Sequence, residues 1–186
     1  MRSPGNISDI YPILRRQAVV IVKVRRMAML SIMLAIMFVV SALEKMLPPF
    51  PLMPPGASIG LANVVVMYTV FFIGAKEAFA LNFMKAGLIA LARGPIAGAL
   101  SLAGGMLSVC VVVILDRVFA DKISVILISA ASAIAHNIGQ LAVFAVIAGL
   151  SAALYYFPFL MIAGVFLGII TGIVLNVILP VLKNGG

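Results

Sequence analysis

The sequence predicts an all-α membrane protein in which six helices cross the bilayer. Hydrophobic residues make up 65% of the 186 residues, charged residues make up 10%, and the mean hydropathy is +1.28. An ordinary soluble domain is about half apolar and about a quarter charged, and one soluble core of this length could not bury so much apolar side chain. The composition therefore argues against a soluble enzyme, a disordered chain and, with a single cysteine, a disulfide scaffold.

Six apolar segments account for the predicted spans. Helical spans need about 20 residues, and these segments are too long and too continuously apolar for the strands of a β-barrel. The second and third are short, which indicates tilt, local thinning or partial burial in the bundle. Phe157-Pro158 is taken as the start of the last span, because proline is tolerated at a helix start. The six spans cover about residues 27–47, 59–73, 78–92, 96–115, 123–150 and 157–181.

The charges predict how the chain is oriented. Residues 1–26 form a basic, amphipathic cytoplasmic segment, typical of a stretch that lies on an anionic membrane face, and residues 27–182 form the six-helix domain. With the N-terminus inside, the outer segments hold only Lys45 and Arg93, so both termini are predicted to be cytoplasmic. Because the cations flank apolar runs, nucleic acid is not an expected partner. The inner segments hold Arg2, Arg15, Arg16, Lys23, Arg25, Arg26, Lys76, Arg117, Lys122 and Lys183.

The loop between the first two spans, residues 46–58, contains five of the ten prolines. Proline-rich backbone cannot be helical and is stiffened toward polyproline geometry. The loop is also apolar, so it is expected to fold over the bundle. It is either a rigid connector or a lid over a site open to the outside, and the sequence leaves both possibilities open. The lid residues would include Pro48, Pro49, Pro54, Pro55 and Gly56.

Span five carries polar residues at membrane depth. Ser129, Ser132, His136 and Gln140 fall on one helix face, and Asn137 lies beside His136. At 1.5 Å per residue, His136 lies near the membrane midplane. Polar groups there need partners or a wet cavity. Interhelical hydrogen bonds alone would account for them, but three such residues within five positions favour a binding site.

Span three adds Asn82 and Lys85, three residues apart on one face. Lys85 is too far from either end of the span to extend its ammonium group to the surface easily. A buried cation usually needs an anion. Four of the five acids are assigned to the cytoplasmic side, which leaves Glu44 near the outer surface. The alternatives are an anionic group on a ligand, a lysine held uncharged, or a Lys85–Glu44 pair.

Small residues form three stripes that would allow close helix packing. The stripe on span four (98, 101, 105 and 108, with 104 beside it) and the stripe on span six (164, 168 and 172) are expected to pack the bundle itself. The stripe of Ala28, Ser31 and Ala35 on span one packs either internally or against another subunit.

Several chemistries lack their motifs. The chain has no phosphate-binding GxxxxGK[ST] loop and no paired-aspartate motif for magnesium diphosphate. With one histidine and one cysteine, a metal cluster held by the protein alone is not expected. A Ser-His-Asp triad would lack an acid at the depth of His136. We therefore expect no enzyme activity and no cofactor in this chain.

Three motifs resemble the signatures of one family. Residues 52–63 read Leu-Met-Pro-Pro-Gly-Ala-Ser-Ile-Gly-Leu-Ala-Asn, residues 100–108 read Leu-Ser-Leu-Ala-Gly-Gly-Met-Leu-Ser, and residues 135–141 read Ala-His-Asn-Ile-Gly-Gln-Leu. In this order they resemble the signatures of the heptaprenyl diphosphate synthase component I family, also called Gx transporters. The resemblance covers about residues 27–179. Ser58 stands where the signature has lysine, and Lys85 stands where the family tends to have arginine.

The family is similar to the S components of energy-coupling factor (ECF) transporters, which are six-helix substrate-binding subunits of bacterial cytoplasmic membranes. The resemblance implies that a small anionic or amphipathic metabolite binds from outside under the loop 46–58. It also implies a membrane coupling subunit, contacted by Ala28, Ser31 and Ala35, and two cytoplasmic ATPases that use the ATP. The substrate site would then combine Asn63, Asn82, Lys85, His136, Asn137 and Gln140.

The alternative is a membrane accessory subunit of a heptaprenyl diphosphate synthase in isoprenoid biosynthesis. It would account for the family name, and the absent aspartate motif would then require a catalytic partner. A purely structural membrane protein is disfavoured by Lys85 and by the polar cluster on span five.

Overall fold

The computed structural model describes residues 7–46, 54–55, 57–58, 60–119 and 122–183, and these residues form six helices without a strand. Prediction and structure agree on an all-helical chain with six helices. The helices are α1 (Ile7–Met46), α2 (Asn63–Phe72), α3 (Ala75–Arg93), α4 (Pro95–Phe119), α5 (Val125–Ala148) and α6 (Leu150–Lys183).

Four stretches within these helices are long and apolar enough to cross a membrane: Leu14–Glu44, Pro95–Phe119, Val125–Ala148 and Leu150–Ile178. The chain is therefore a multi-pass membrane protein. Helix α2 is apolar but only 10 residues long, about 15 Å, and α3 carries four charged residues. The predicted count of six spans and the cytoplasmic position of both termini stay predictions.

Helix α1 does not begin where the basic segment ends. It runs for 40 residues from Ile7, about 60 Å, which is about twice the thickness of the hydrocarbon core. No glycine or proline lies between residues 13 and 46 to interrupt it. The change near residue 26 is thus a change of composition within one helix. The functional division at that point stays a prediction.

The predicted start of the last span at Phe157-Pro158 was wrong. Helix α5 ends at Ala148, α6 begins at Leu150, and Pro158 lies inside α6. The turn is made by Gly149, whose φ of +92° lies in the left-handed region that other residues rarely adopt. Proline inside a membrane helix is tolerated because neighbouring groups can satisfy the freed carbonyl. Gly94, with a φ of +95°, makes the equivalent one-residue turn between α3 and α4.

These short turns join α3 to α4 and α5 to α6, and α4 packs against α5. Glycines let their backbones approach: Gly98 packs on Ala90, Gly139 on Ala103, and Gly168 on Ala130. The expectation that the stripes on spans four and six pack the bundle itself is confirmed. Ala28, Ser31 and Ala35 are instead exposed on α1.

Helix α2 lies at the centre of the bundle and contacts the five other helices. Its Val66 and Met67 are fully buried with Leu81 of α3 and Val109 of α4. A second apolar cluster, which includes Leu100, Leu141, Phe144 and Leu160, joins α4, α5 and α6. At the other end of the bundle, Arg26 of α1 forms an ion pair with Glu77 in the first turn of α3.

The close approach of α4 and α5 predicts a contrast between two glycines. A Cβ on Gly139 would lie 2.6 Å from the carbonyl oxygen of Ala103 and 2.8 Å from Cα of Gly104, whereas a Cβ on Gly87 would meet nothing within 4 Å. Gly139→Ala should therefore lower the free energy of unfolding by about 1–3 kcal/mol. Gly87→Ala should be neutral or slightly stabilising, because alanine favours a helix.

Thermal unfolding of the two detergent-purified variants, followed by circular dichroism, measures this contrast. An equal loss of stability in both variants would contradict the packing of α4 against α5.

Candidate ligand-binding site

A cluster of buried polar side chains lies between the first five helices. Each is at most 8% exposed, and the residues around them are mostly apolar. Polar groups at this depth of a membrane protein are costly unless they have partners or a ligand. The members are Glu44 on α1, Ser58 before α2, Asn63 on α2, Asn82 and Lys85 on α3, Ser101 and Ser108 on α4, and Ser132, His136 and Gln140 on α5.

The ring of His136 is accommodated by two glycines. A Cβ on Gly104 of α4 would lie 3.0 Å from Cε1 of the imidazole, and a Cβ on Gly60 would lie 3.4 Å from its Cδ2. A side chain at Gly104 would therefore push the ring away. At Gly60 a Cβ would make an ordinary contact with the ring, and it is the φ of +91° that favours glycine. Neither Nδ1 nor Nε2 of His136 makes a hydrogen bond of standard geometry among the described residues, although the ring lies close to the backbone of Gly104. An imidazole offers at least one donor there, and in its neutral form also one acceptor.

Gln140 fastens the segment before α2 to α5. Its Oε1 accepts from the backbone N–H of Ser58 at 3.0 Å, and its Nε2 donates to the backbone carbonyl of Ser58 at 3.1 Å. Both ends of the amide are therefore occupied by the backbone of the predicted lid. Gln140 holds this segment over the cluster and has little capacity left for a ligand.

A chain of hydrogen bonds joins α2, α4 and α5. Nδ2 of Asn63 donates to Oγ of Ser108 at 2.8 Å, and this hydroxyl lies 3.3 Å from Oγ of Ser132. Oδ1 of Asn63 has no partner among the residues that the structure describes. Asn63 is thus held by one end of its amide and presents the other to the cluster.

Asn82 and Lys85 enter the cluster from α3. Asn82 occupies the space beside Gly105 that a side chain there would fill, and its Nδ2 donates to the carbonyl of Leu102 at 3.4 Å. Lys85 is only 1% exposed. Glu44 and Arg93 lie close enough for their charges to act on Lys85, and Lys85 acts in the same way on His136. Lys85 and Glu44 do not form a direct ion pair.

Glu44 was not among the predicted site residues, and it belongs to the cluster. Its Oε1 accepts from the N–H of Ala62 at 3.3 Å, at the N-terminus of α2. Its Oε2 is buried without a partner in the described part of the chain. The available signal was that Glu44 is the one acid not assigned to the cytoplasmic side. Four serines of the cluster were also not among the predicted site residues, because a single serine in an apolar chain is usually structural. They are Ser58, Ser101, Ser108 and Ser132.

Asn137 lies apart from the other predicted residues. Its Nδ2 donates to the carbonyl of Leu160 on α6 and fits against Gly164. One residue corresponds to about 100° around a helix, which turns Asn137 away from the face of His136. The structure therefore brings together five of the six predicted residues: Asn63, Asn82, Lys85, His136 and Gln140.

The predicted lid is only partly described. Pro48, Pro49 and Gly56 lie outside the described residues. Pro54 is buried, Pro55 is exposed, and the carbonyl of Pro54 accepts from the N–H of Ala57 at 3.1 Å.

The cluster is unusual because its hydrogen bonding is incomplete. Folded proteins pair the large majority of buried polar side-chain atoms, and each exception needs an explanation. Seven buried atoms on six residues lack a partner within the described ranges, and they include donors as well as acceptors. These atoms are Glu44 Oε2, Ser58 Oγ, Asn63 Oδ1, Asn82 Oδ1, Ser101 Oγ, and Nδ1 and Nε2 of His136. Asn82 Oδ1 faces Gly105, and the other six atoms have hydrogen-bonding capacity that the described residues do not use. Among the same residues there is no group of three metal-ligating side chains.

Fold and site together define a class: a multi-pass helical membrane protein with a buried polar cluster beneath the segment before α2. The family model described as heptaprenyl diphosphate synthase component I matches residues 15–178. The chain belongs to this family, as its three sequence motifs indicate. No curated protein and no solved structure gives a significant match.

Gln140→Ala tests whether this side chain holds the predicted lid. The substitution removes both bonds to Ser58, each worth about 1 kcal/mol, so the Ser58 amide should exchange its hydrogen at least about 10-fold faster. Hydrogen–deuterium exchange with mass spectrometry reports on this amide.

Ser129→Ala is the matched control, because it removes a buried 2.8 Å contact with Thr171 from the same helix without touching Ser58. Equal exchange at Ser58 in wild type and Gln140→Ala would show that other contacts hold the segment.

Proposed function

We propose that this protein is the substrate-binding membrane subunit, or S component, of an ECF-type importer. In this proposal a small metabolite enters from the outer side of the membrane, binds beneath the loop 46–58, and is delivered inward with a membrane coupling subunit and two cytoplasmic ATPases. The ATP is used by these partners. The protein would reside in a bacterial cytoplasmic membrane.

The observation that carries the proposal is the incomplete hydrogen bonding of the polar cluster. A structural role alone would be served best if the polar atoms satisfied one another, since unpaired buried groups destabilise the fold. Among the described residues, unpaired atoms are instead contributed by α1, α2, α4 and α5 and by the segment before α2. A bound metabolite would supply the missing partners, and removing it would leave them unsatisfied. The polar atoms would thus be paired only in the bound state, and this gain in hydrogen bonding favours high affinity.

The contact between Gln140 and the loop supports entry of the substrate from the side of the bundle that the loop covers. The two bonds join the side-chain amide of Gln140 to the backbone of Ser58 and are of modest strength. The loop could therefore open locally while α3, α4 and α5 stay packed. We propose that such opening admits the substrate, and that reclosing over it excludes water.

The exposed stripe on α1 supports a partner in the membrane. Ala28, Ser31 and Ala35 are exposed on a helix whose apolar surface faces outward over most of its length. Small residues on such a face let a second helix approach closely. We propose that the coupling subunit occupies this face.

The second candidate function is that of an accessory subunit of a heptaprenyl diphosphate synthase, and the observation that favours it is the description of the matching family. In that case the cluster would serve a lipid-soluble product or a structural role, and the catalytic groups would lie on a partner.

Ligand binding should depend on the two central side chains. Lys85→Ala removes the buried ammonium group and His136→Ala removes both unpaired nitrogens, so each should weaken binding of the co-purifying ligand at least about 100-fold. Native mass spectrometry of gently extracted protein measures how much ligand is retained.

Lys76→Ala is the control, because Lys76 lies on the same helix and is exposed at its other end. Unchanged retention in both Lys85→Ala and His136→Ala would refute the site assignment.

Purification of the tagged protein from native membranes separates the two candidate functions. The importer proposal expects a coupling subunit and ATPases among the recovered proteins. It also expects their recovery to fall in Ala35→Leu, which enlarges the α1 stripe, and to persist in Ile36→Leu. Recovery of a prenyltransferase subunit with synthase activity would instead establish the accessory role.

A further inference from the structure

The buried carboxylate of Glu44 limits the chemistry of the ligand. Lys85 considered alone favours an anionic group on the ligand, which is one of the three alternatives that its position in the sequence leaves open. Glu44 is 6% exposed and lies at the same cluster, so a ligand that approaches the ammonium group also approaches a carboxylate. The charges that face the ligand must be considered together.

The position of Glu44 follows from its bond to Ala62. Asn63, the next residue, presents its unpaired Oδ1, and Gly60, two residues earlier, lies against the imidazole of His136. Glu44 is therefore held at the start of α2, next to two other unpaired side chains. The helix N-terminus stabilises the carboxylate there.

The bond at the N-terminus of α2 uses only one of the two carboxylate oxygens of Glu44. Oε1 accepts the single N–H of Ala62, while Oε2 is buried without a partner in the described ranges. A glutamine would serve the N–H of Ala62 equally well without leaving a buried charge. A carboxylate is the better choice when a second donor, from outside the protein chain, completes the site.

The groups around Glu44 also disfavour a diphosphate. Lys85 is the buried cation, Arg93 is partly exposed at the outer end of α3, and no arginine reaches the described part of the cluster to form the paired contacts typical of phosphate sites. Within the buried cluster Glu44 and Lys85 cancel in formal charge, and Arg93 adds one positive charge from its partly exposed position. A group with several negative charges would meet the repulsion of Glu44 and the attraction of few cations.

We propose that Glu44 is a substrate-binding residue that accepts hydrogen bonds from a nitrogen group of the ligand. The group would be an ammonium, an amidine or a ring N–H, while Lys85 binds an acceptor or anionic group elsewhere on the same molecule. The substrate is then a nitrogen-containing metabolite with a net charge near zero, and an isoprenyl diphosphate is excluded. This inference rests on the proposed function of the cluster as a substrate site.

Glu44→Gln tests the inference through the sign of its effect. Glutamine keeps an acceptor for Ala62 but loses the negative charge. A ligand that donates from nitrogen to Glu44 should bind about 10- to 100-fold more weakly. A ligand with only anionic groups should bind equally well or more tightly, because a repulsive charge has been removed. Lys85→Met should weaken the binding of both kinds of ligand. It therefore does not distinguish them, and Glu44→Gln is the informative variant.

The experiment uses two probes with the full-length protein in nanodiscs. The first is a deproteinised small-molecule extract of the source cells, with bound compounds identified by mass spectrometry after equilibrium dialysis. The second is isopentenyl diphosphate, titrated by calorimetry. Wild type should retain a nitrogen compound from the extract, Glu44→Gln should lose it, and isopentenyl diphosphate should bind neither protein. Ser41→Ala, a buried substitution one turn earlier on α1, should retain the compound.

The possible failures are distinguishable. Retention of the compound by Glu44→Gln, or binding of isopentenyl diphosphate with equal or higher affinity in Glu44→Gln, would overturn the inference and leave the proposed function standing. Absence of any bound compound in wild type would overturn both. Thermal unfolding of Glu44→Gln without ligand, compared with wild type, shows whether a loss of binding reflects a loss of folding.

Discussion

The close approach of α4 to α5 is the constraint on which the polar cluster depends. Gly104 and Gly139 leave no side chain between the two backbones at this level. Without that space, the ring of His136 could not fit against Gly104 of α4, and Ser108 could not reach both Asn63 and Ser132. In lipid, where no hydrophobic force drives helices together, such packing has to come from small residues and interhelical hydrogen bonds. The site and the fold are therefore built from the same residues.

The polar cluster is unevenly satisfied, and the pattern separates structural from available groups. Gln140 and Asn137 use their amides to hold the lid segment and α6. Asn63 and Glu44 are each fixed by one atom and present the other. A side chain anchored at one end loses little freedom when a ligand binds to the other, which favours affinity. These four polar residues thus divide into two roles.

Much of the fold could be predicted from the sequence, because long apolar segments and charged joints are local signals. α4 and α5 begin and end within a few residues of their predicted limits. The start of α6 was missed because proline is a plausible helix start, and the turn at Gly149 depends on a backbone angle rather than on composition. For the site, helix periodicity placed His136 and Gln140 on one face. It could not show that Gln140 binds backbone 82 residues away, nor that Glu44 approaches Lys85 from another helix.

The central position of α2 has a consequence for how the protein would signal that it is loaded. This helix is only 10 residues long, contacts the five other helices, and carries Asn63 in its first turn and the Glu44 contact just before it. A ligand bound at these two points would restrict the motion of α2 and, through its contacts, the motion of the other helices. The protein without ligand would then be more flexible than the protein with ligand bound. Differences in rigidity alone can couple two binding events, so a partner docking on the far side of α1 could distinguish a full subunit from an empty one without contacting the substrate.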